Sequence, residues 1–152
     1  MSLVPTPSDA LRTAYAGALY EVLAAPQACF RLGPGGTEAG PWLAQLGAQS
    51  ASILTAWNPF SETRPELENL AAQARLRARI EAAGWCWLPA QGADPAGAWP
   101  AEPSLCVLDL PEAALDALLL EFRQYAAVCI TAQHGARLHW HPEIRAAQGG
   151  ST

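Results

Sequence analysis

Glu102 is the carboxylate whose local sequence is best suited to acid–base chemistry. It lies in the segment W-P-A-E-P-S, close to a proline on either side. Burial in a cleft would raise the pKa of this carboxyl group, so that it could act as a general acid or base. The commoner alternative is a structural carboxylate that accepts hydrogen bonds from loop amides or pairs with Arg123. Glu102 is therefore a candidate catalytic residue with two interpretations open.

Asparagine, serine and tryptophan side chains supply the candidate ligand contacts. Asn58 precedes Pro59, and an asparagine at such a position more often braces a turn than binds a ligand. Ser61 and Ser104 lack a G-x-S-x-G context, so neither is expected to be a nucleophile. The predicted ligand-binding residues are Thr55, Trp57, Asn58, Ser61, Asn69, Gln91, Trp99, Ser104, Arg123 and Gln124.

The histidines and cysteines do not predict a metal site. His139 and His141 share one face of the last predicted strand, with Glu143 beyond, and an H-x-H pair can bind zinc. Surface histidines on an edge strand are far commoner, so we predict no metal, no cofactor and dispensable histidines. The cysteines form no C-x-x-C motif and lie in apolar runs, which predicts reduced, buried thiols. They are Cys29, Cys86, Cys106 and Cys129.

Residues 52–69 must position most of these candidates. The apolar run 53–57 predicts a buried strand, and Asn58-Pro59 ends it because proline cannot donate to a ladder. The segment Thr63-Arg64-Pro65-Glu66 has the form of a capping box and predicts a helix over 64–83. Free backbone amides at the start of this helix would favour a bound anion.

The other elements follow from apolar periodicity and turn residues. The 64–83 helix has apolar residues on two sides, which predicts that it packs against two neighbours. N-terminal to residue 52 we expect a helix over 10–24 capped by Ser8 or Asp9, a strand over 28–32, a turn at 33–36 and a helical turn over 41–46. Further on we expect strands over 85–91, 102–110, 125–132 and 136–140, and a helix with an Asp109-x-x-Glu112 cap and the buried stripe Leu115, Leu118, Leu119 and Phe122.

From residue 52 the order β-α-β-β-α-β is that of the ferredoxin-like split βαβ arrangement. We expect one α+β domain over 8–144, in which a helix and strand are added before this unit and a hairpin strand after it. Flexible tails are expected at 1–7 and 145–152. Right-handed crossovers place the third strand between the first two, and the fourth pairs with the other side of the first.

This topology brings three segments to one end of the sheet. They are the 57–66 turn, the 91–102 connection and the 122–125 junction. Trp57, Asn58, Asn69, Trp99, Glu102 and Gln124 should therefore converge near the start of the 64–83 helix. An anion held there by helix amides would lie close to Glu102, so we also expect an arginine, Arg123 or Arg64, within salt-bridge reach of that carboxylate.

Four short motifs occur in a distinctive order: T-A-W-N-P-x-S followed by Asn69, then P-A-Q-G, W-P-x-E-P-S and F-R-Q-Y-A. In this order the chain resembles the DUF3293 family of uncharacterised bacterial proteins over about residues 13–131. The resemblance implies Thr55, Asn58, Pro59, Asn69, Gly92, Trp99, Glu102, Ser104 and Gln124 as signature positions. It implies no activity.

Composition limits the function further. The 152-residue chain has a formal charge of −5, which argues against phosphate-backbone binding and so against a nucleic-acid partner. It has no apolar run of the ~18 residues that a membrane span needs and no signal-peptide pattern, so we expect a cytoplasmic protein.

Three function hypotheses remain open. We favour a small-ligand-binding or regulatory module with an anion-preferring pocket at one end of the sheet. The first alternative is an enzyme that uses Glu102 as general acid or base with Asn58 and Asn69. The weaker alternative is a protein-interaction domain that forms a homodimer, because Trp85 and Trp87 project together from one strand.

Overall fold

The computed structural model describes residues 4–33 and 38–148. Its strands are β1 (Leu19–Val22), β2 (Ala28–Phe30), β3 (Ser50–Leu54), β4 (Trp87–Ala93), β5 (Glu102–Leu108), β6 (Ala126–Thr131) and β7 (Gly135–Trp140). The helices in these residues are α1 (Asp9–Gly17), α2 (Ala39–Leu46), α3 (Glu66–Ala82), α4 (Glu112–Glu121) and α5 (Pro142–Ala147). The strands form one antiparallel sheet in the order β2-β1-β4-β5-β3-β6-β7. The protein is therefore a mixed α+β protein.

Helices cover both faces of the sheet. On one face α3 and α4 pack against the sheet, and Leu76, Ile80 and Leu119 are fully buried there. On the opposite face Trp42 and Leu43 of α2 pack into a second apolar cluster. Each of these three helices buries apolar residues on the sheet, which is how such layers are stabilised. The predicted α4 stripe of Leu115, Leu118, Leu119 and Phe122 is buried as expected.

The central strands determine where the candidate residues lie. β5 lies between β3 and β4, and β6 pairs with the other side of β3. The pairing places Leu54 opposite Leu105 and Gly92 opposite Glu102. The ends of β3 and β4 therefore meet the starts of β5 and β6 at one end of the sheet.

The N-terminal segment differs from the expectation. Ser8 caps α1, and its Oγ accepts a hydrogen bond from the backbone N of Leu11 at 3.1 Å. The helix ends at Gly17, however, and residues 19–22 form β1 between β2 and β4. A strand between two neighbours satisfies its backbone groups on both sides, and this pairing outweighs the local helical pattern. Residues 34–36 of the predicted turn lie outside the described residues.

The two predicted helix caps are wrong. Both α3 and α4 begin directly after a proline whose backbone is extended, and neither has a side-chain cap. Asp109 instead braces the start of β3, because its Oδ1 accepts hydrogen bonds from the backbone N of Gln49 at 2.9 Å and of Ser50 at 3.1 Å. Thr63 makes no capping bond, and the chain before α3 is held by Asn58.

Helix α3 packs on one side only. Asn69, Ala72, Leu76 and Ile80 are its buried residues, whereas the side chains of Leu67 and Leu70 are 81% and 50% exposed. The predicted second apolar face of this helix, which also includes Ala71, Ala74 and Ala78, is exposed in the described structure. The expectation that this second face packs against another element is therefore wrong.

The C-terminal segment forms helix α5, which extends past residue 144, where the predicted domain ends. His141 is 1% exposed, and its Nδ1 accepts a hydrogen bond from the backbone N of Glu143 at the start of α5. Arg145 on α5 donates to both carboxylate oxygens of Asp116 on α4, at 2.9 and 3.0 Å. The prediction of dispensable surface histidines does not fit a buried, capping His141.

The thiols are less buried than predicted. Cys106 is buried and Cys129 half-buried, but Cys29 and Cys86 are exposed. Their apolar contexts were short edge or loop segments, where alternate side chains face solvent.

Trp85 and Trp87 are half-buried and pack against the apolar cluster beneath α3 and α4. No helix in the described parts of the chain is long and apolar enough to cross a bilayer.

Candidate functional site

A cavity of about 340 Å³ opens where β3 ends and β5 begins. We call it the Glu102 cavity. Glu102 and Ser104 of β5 and Asn58 after β3 line one part, Trp57 and Trp99 form half-buried walls, and Tyr15 of α1 closes another part. Of the described residues that line it, Glu102 is the single acidic one and none is basic. The cavity therefore combines aromatic walls with one carboxyl group.

The loop after β3 has an unusual backbone that shapes this cavity. Asn58, Phe60 and Ser61 all have positive φ values, of 44°, 50° and 60°. Such conformations cost about 1–3 kcal/mol each for residues other than glycine, so surrounding contacts must hold them. Phe60 N donates to the backbone O of Arg123 at 2.7 Å, and Ser61 N donates to the backbone O of Asn58 at 2.7 Å.

Asn58 and Asn69 form a reciprocal amide pair beside the cavity. Asn58 N donates to Asn69 Oδ1 at 2.9 Å, and Asn69 Nδ2 donates back to Asn58 Oδ1 at 2.8 Å. Asn58 Oδ1 also accepts from the backbone N of Arg64 at 3.0 Å, which fixes the chain entering α3. Asn69 is 2% exposed and bonds Asn58 through both ends of its amide, so it supports the loop.

Glu102 has one hydrogen-bond donor among the described side chains. Asn58 Nδ2 lies 3.5 Å from Glu102 Oε2, a long bond that leaves most of the carboxyl group free. Burial raises the pKa of Glu102, and the Asn58 hydrogen bond offsets part of this rise. No arginine in the described chain forms an ion pair with Glu102, so the expected arginine partner is wrong.

The wall supplied by α1 and β1 is the part that sequence reasoning missed. Tyr15 OH lies 3.2 Å from Ser61 Oγ, and Tyr20 OH donates to the backbone O of Tyr15 at 2.7 Å. Burial raises the pKa of Tyr15 to about 12, so its hydroxyl stays neutral near neutral pH. Tyr15 lies in the predicted 10–24 helix, but no local signal places that helix beside Ser61, which is 46 positions away.

A second concave surface lies on the other side of the asparagine pair. It measures about 410 Å³, and its charged lining residues are Arg64, Glu68, Arg75, Glu121 and Arg123. We call it the arginine groove. The guanidinium carbon of Arg123 lies 5.4 Å from the centre of the Phe60 ring. Arg64 forms an ion pair with Glu62 at 3.1 Å.

The structure thus divides the predicted site residues. The Glu102 cavity is lined by Thr55, Trp57, Asn58, Ser61, Trp99, Glu102 and Ser104. The arginine groove contains Asn69 and Arg123. Gln91 lies outside both and donates to Glu21 at 2.8 Å, and buried Gln124 donates to the backbone O of Phe122 and Trp57. The role of these residues in ligand binding stays a prediction.

The supporting residues of the cavity are held by short polar contacts. Thr55 Oγ1 donates to the backbone O of Pro103 at 2.7 Å and accepts from the backbone N of Trp57 at 3.0 Å. This hydroxyl therefore ends β3 and ties the chain to the start of β5. Ser104 Oγ donates to the backbone O of Glu102 at 3.2 Å and keeps its lone pairs for a further donor.

One group of described residues resembles a metal ligand set. Ligand atoms of Glu112, Asp116 and His139 lie within 4.8 Å of one another. Arg145 Nη1 lies 2.9 Å from both Asp116 Oδ1 and His139 Nε2, so a permanent positive charge already contacts two of the three residues. Hydrogen bonds from Arg145 hold the pKa of Asp116 below its usual range. The arrangement is that of an ion-pair network which joins α4, β7 and α5.

Comparison with known proteins finds a family that matches the middle part of the chain. No curated protein and no solved structure matches it. A family model matches residues 54–127, which contain the loop after β3, the asparagine pair, Glu102 and Gln124 but leave out α1 and β1. Both walls formed by the loop and by β5 thus lie in the matched part. Residues 54–127 match the DUF3293 family, which is described as a family of proteins of unknown function.

Proposed function

We propose that the protein binds a small organic molecule in the Glu102 cavity. One observation carries this proposal: a half-buried carboxyl group with a single weak donor lines a cavity that has tryptophan and tyrosine walls. Ligand sites are typically apolar pockets of such size in which a few convergent polar groups fix the orientation of the ligand. A carboxyl group with a raised pKa in a cleft is also a frequent mark of a functional site.

The anion-preferring pocket expected from the sequence does not fit the Glu102 cavity. A bound phosphate or carboxylate would face Glu102, and the described lining contains no basic side chain to separate the two negative charges. If the anion preference predicted from the sequence holds anywhere, the arginine groove is the better candidate. We therefore propose a ligand for the Glu102 cavity that is neutral or positively charged.

A fragment screen tests the proposal. Nuclear magnetic resonance should detect compounds that shift the indole N–H signals of Trp57 and Trp99. For compounds that bond the carboxyl group, Glu102→Gln should weaken binding about tenfold, because a hydrogen bond to a charged group contributes about 1.5 kcal/mol. Glu66→Gln is the matched control, because Glu66 is an exposed carboxylate on α3. This variant should leave the affinity for every compound unchanged. A screen in which no compound shifts either indole would contradict the proposal.

An enzyme remains the second candidate, and the raised pKa of Glu102 favours it. A carboxyl group of this kind is better matched to proton transfer near neutral pH than an ordinary surface glutamate. Asn58 could orient a substrate beside it, whereas Asn69 is committed to the loop. Turnover of a ligand identified by the screen, lost in Glu102→Gln, would support catalysis; unchanged turnover in that variant would refute the role of Glu102.

A homodimer is a weaker proposal, supported by the exposed Leu67 and Leu70 side chains on α3. The proposal no longer rests on Trp85 and Trp87, because these two side chains pack against the apolar cluster of α3 and α4. Light scattering that gives the monomer mass of 16.1 kDa at micromolar concentration would contradict this proposal.

Two finer statements are also proposals. The strand order β4-β5-β3-β6 and its antiparallel pairing support a ferredoxin-like unit within the larger sheet. An experimental structure with a different strand order would refute it.

The free thiols of Cys29 and Cys86, both exposed, support a reducing cytoplasmic setting. Isolation of the native protein with these thiols oxidised would count against that setting.

A further inference from the structure

We propose that the Glu102 cavity recognises a primary or secondary ammonium group attached to an aromatic or apolar body. This inference rests on the proposed small-molecule site and names the chemical class of its ligand. It follows from two properties of the described lining, namely the sign of its single charge and the type of its walls.

The charge of the lining requires a positive partner. The ionised form of Glu102 is unfavourable because the carboxylate is partly buried without a counter-charge. The long hydrogen bond from Asn58 offsets little of this cost. A bound ammonium group supplies the missing charge and up to three donors. Charge-assisted hydrogen bonds of this type are roughly twice as strong as neutral ones.

The walls of the cavity also suit a cation. Tyr15, Tyr20, Trp57 and Trp99 all line it, and the faces of aromatic rings attract ammonium groups. The same rings provide apolar surface for the body of the ligand. An anionic ligand would be repelled by the ionised Glu102, and a neutral ligand would leave the carboxylate without a counter-charge.

Further acceptors lie near the carboxyl group. Ser104 Oγ donates to the backbone O of Glu102 and can accept a hydrogen bond from a ligand. The contact between Tyr15 OH and Ser61 Oγ offers another acceptor on the opposite wall. These groups are neutral hydrogen-bond acceptors, so an ammonium group can donate to them while it pairs with Glu102.

The proposal also predicts a pH dependence that other groups do not obscure. Among the described residues, the titratable side chains that interact with Glu102 are Tyr15 and Tyr20, and burial raises the pKa of both. Neither tyrosine changes charge between acidic and neutral pH. The affinity for an amine should therefore increase as pH rises and Glu102 ionises, whereas the affinity for a neutral compound should stay constant.

Three compounds of nearly equal shape test the inference: benzylamine, benzyl alcohol and benzoate. Dissociation constants are measured near neutral pH from the indole shifts of Trp57 and Trp99. Benzylamine should bind about tenfold more tightly than benzyl alcohol, and benzoate should bind most weakly. Glu102→Gln should remove the preference for the amine and leave benzyl alcohol unchanged, and Glu66→Gln should preserve all three affinities.

The outcomes separate this inference from the proposed function. If benzyl alcohol binds as tightly as benzylamine, or if Glu102→Gln keeps the preference for the amine, the ammonium inference is overturned and the small-molecule site stands. If benzylamine causes no shift while other fragments do, the inference alone fails. If neither these compounds nor the wider screen shifts the indoles, both fail.

Discussion

The Glu102 cavity and the arginine groove lie on opposite sides of one amide pair and have opposite charge. The cavity contains one carboxyl group and no basic residue in its described lining. The groove contains Arg64, Arg75 and Arg123 with two glutamates. The sequence predicts a single site in which Glu102 and an arginine meet around an anion. The structure instead distributes those charges to two surfaces.

The asparagine pair is the physical reason for this separation. Asn58 directs its Nδ2 toward Glu102 and its Oδ1 toward the chain that enters α3. Asn69 fills the space between the two surfaces and is bonded to Asn58 through both ends of its amide. A neutral pair of amides that bond each other can separate unlike charges without itself needing a counter-charge.

Asn69→Ala should have the largest effect on this arrangement. The substitution removes two bonds to Asn58 and a third, longer one to the backbone O of Arg64. It also leaves buried backbone and side-chain groups of a strained loop without partners. The free energy of unfolding should fall by about 3 kcal/mol, as measured by urea denaturation.

Arg77→Ala is the control for the Asn69 variant. Arg77 is exposed on the same helix, so its removal should change stability by less than about 0.5 kcal/mol. If Asn69→Ala were as mild as this control, the amide pair would not be what holds the two surfaces apart.

The sequence predicts those parts of the site that depend on strand order. The neighbours of β3, β4, β5 and β6 follow from chain connectivity, and they bring Asn58 within 3.5 Å of Glu102. Turn chemistry around residue 58 is also readable, because an asparagine before proline favours a braced turn. These predictions need only the order and direction of neighbouring elements.

The rest depends on contacts between distant segments. Tyr15 and Tyr20 reach the cavity because residues 19–22 join the sheet, which the local helical periodicity hides. The direction in which each arginine points depends on helix rotation and on the bond from Asn58 to the start of α3. The positive φ values of Asn58, Phe60 and Ser61 likewise come from tertiary bonds rather than from residue preference.

The arginine groove should respond to anions, with a smaller effect than loss of Asn69. Inorganic phosphate near its dissociation constant should stabilise the protein by about 0.4 kcal/mol, which corresponds to about 1–2 °C in Tm for a chain of this length. Arg75→Gln should reduce this increment, whereas Glu102→Gln should keep it. Differential scanning fluorimetry at constant ionic strength provides the measurement.

Arg77→Gln is the matched control for this measurement, because Arg77 lies on the same helix outside the groove. Equal losses in the Arg75 and Arg77 variants would show that phosphate acts through general charge and not through the groove. The contrast between the two surfaces would then rest on the Glu102 cavity alone.

The smallest effect concerns the protonation of Glu102. Burial raises the pKa of this residue above its value in the unfolded chain, so the folded protein binds the proton more tightly. The stability that this proton contributes is fully present below the unfolded pKa of about 4.3 and is lost as pH rises through the folded pKa. Glu102→Gln mimics the protonated group and should keep that stability at neutral pH.

The free energies of unfolding of the wild type and of Glu102→Gln, measured by urea denaturation, should therefore diverge as pH rises from about 4 to about 7. The variant should be the more stable protein at the upper end of this range. Arg75→Gln serves as the control from the other surface, because it should leave the Glu102-dependent change of stability with pH in place. Parallel pH profiles for the wild type and the Glu102 variant would mean that the carboxyl group is solvated like a surface glutamate. The cavity would then lose the electrostatic property that distinguishes it from the groove, and a ligand charge could no longer be inferred from it.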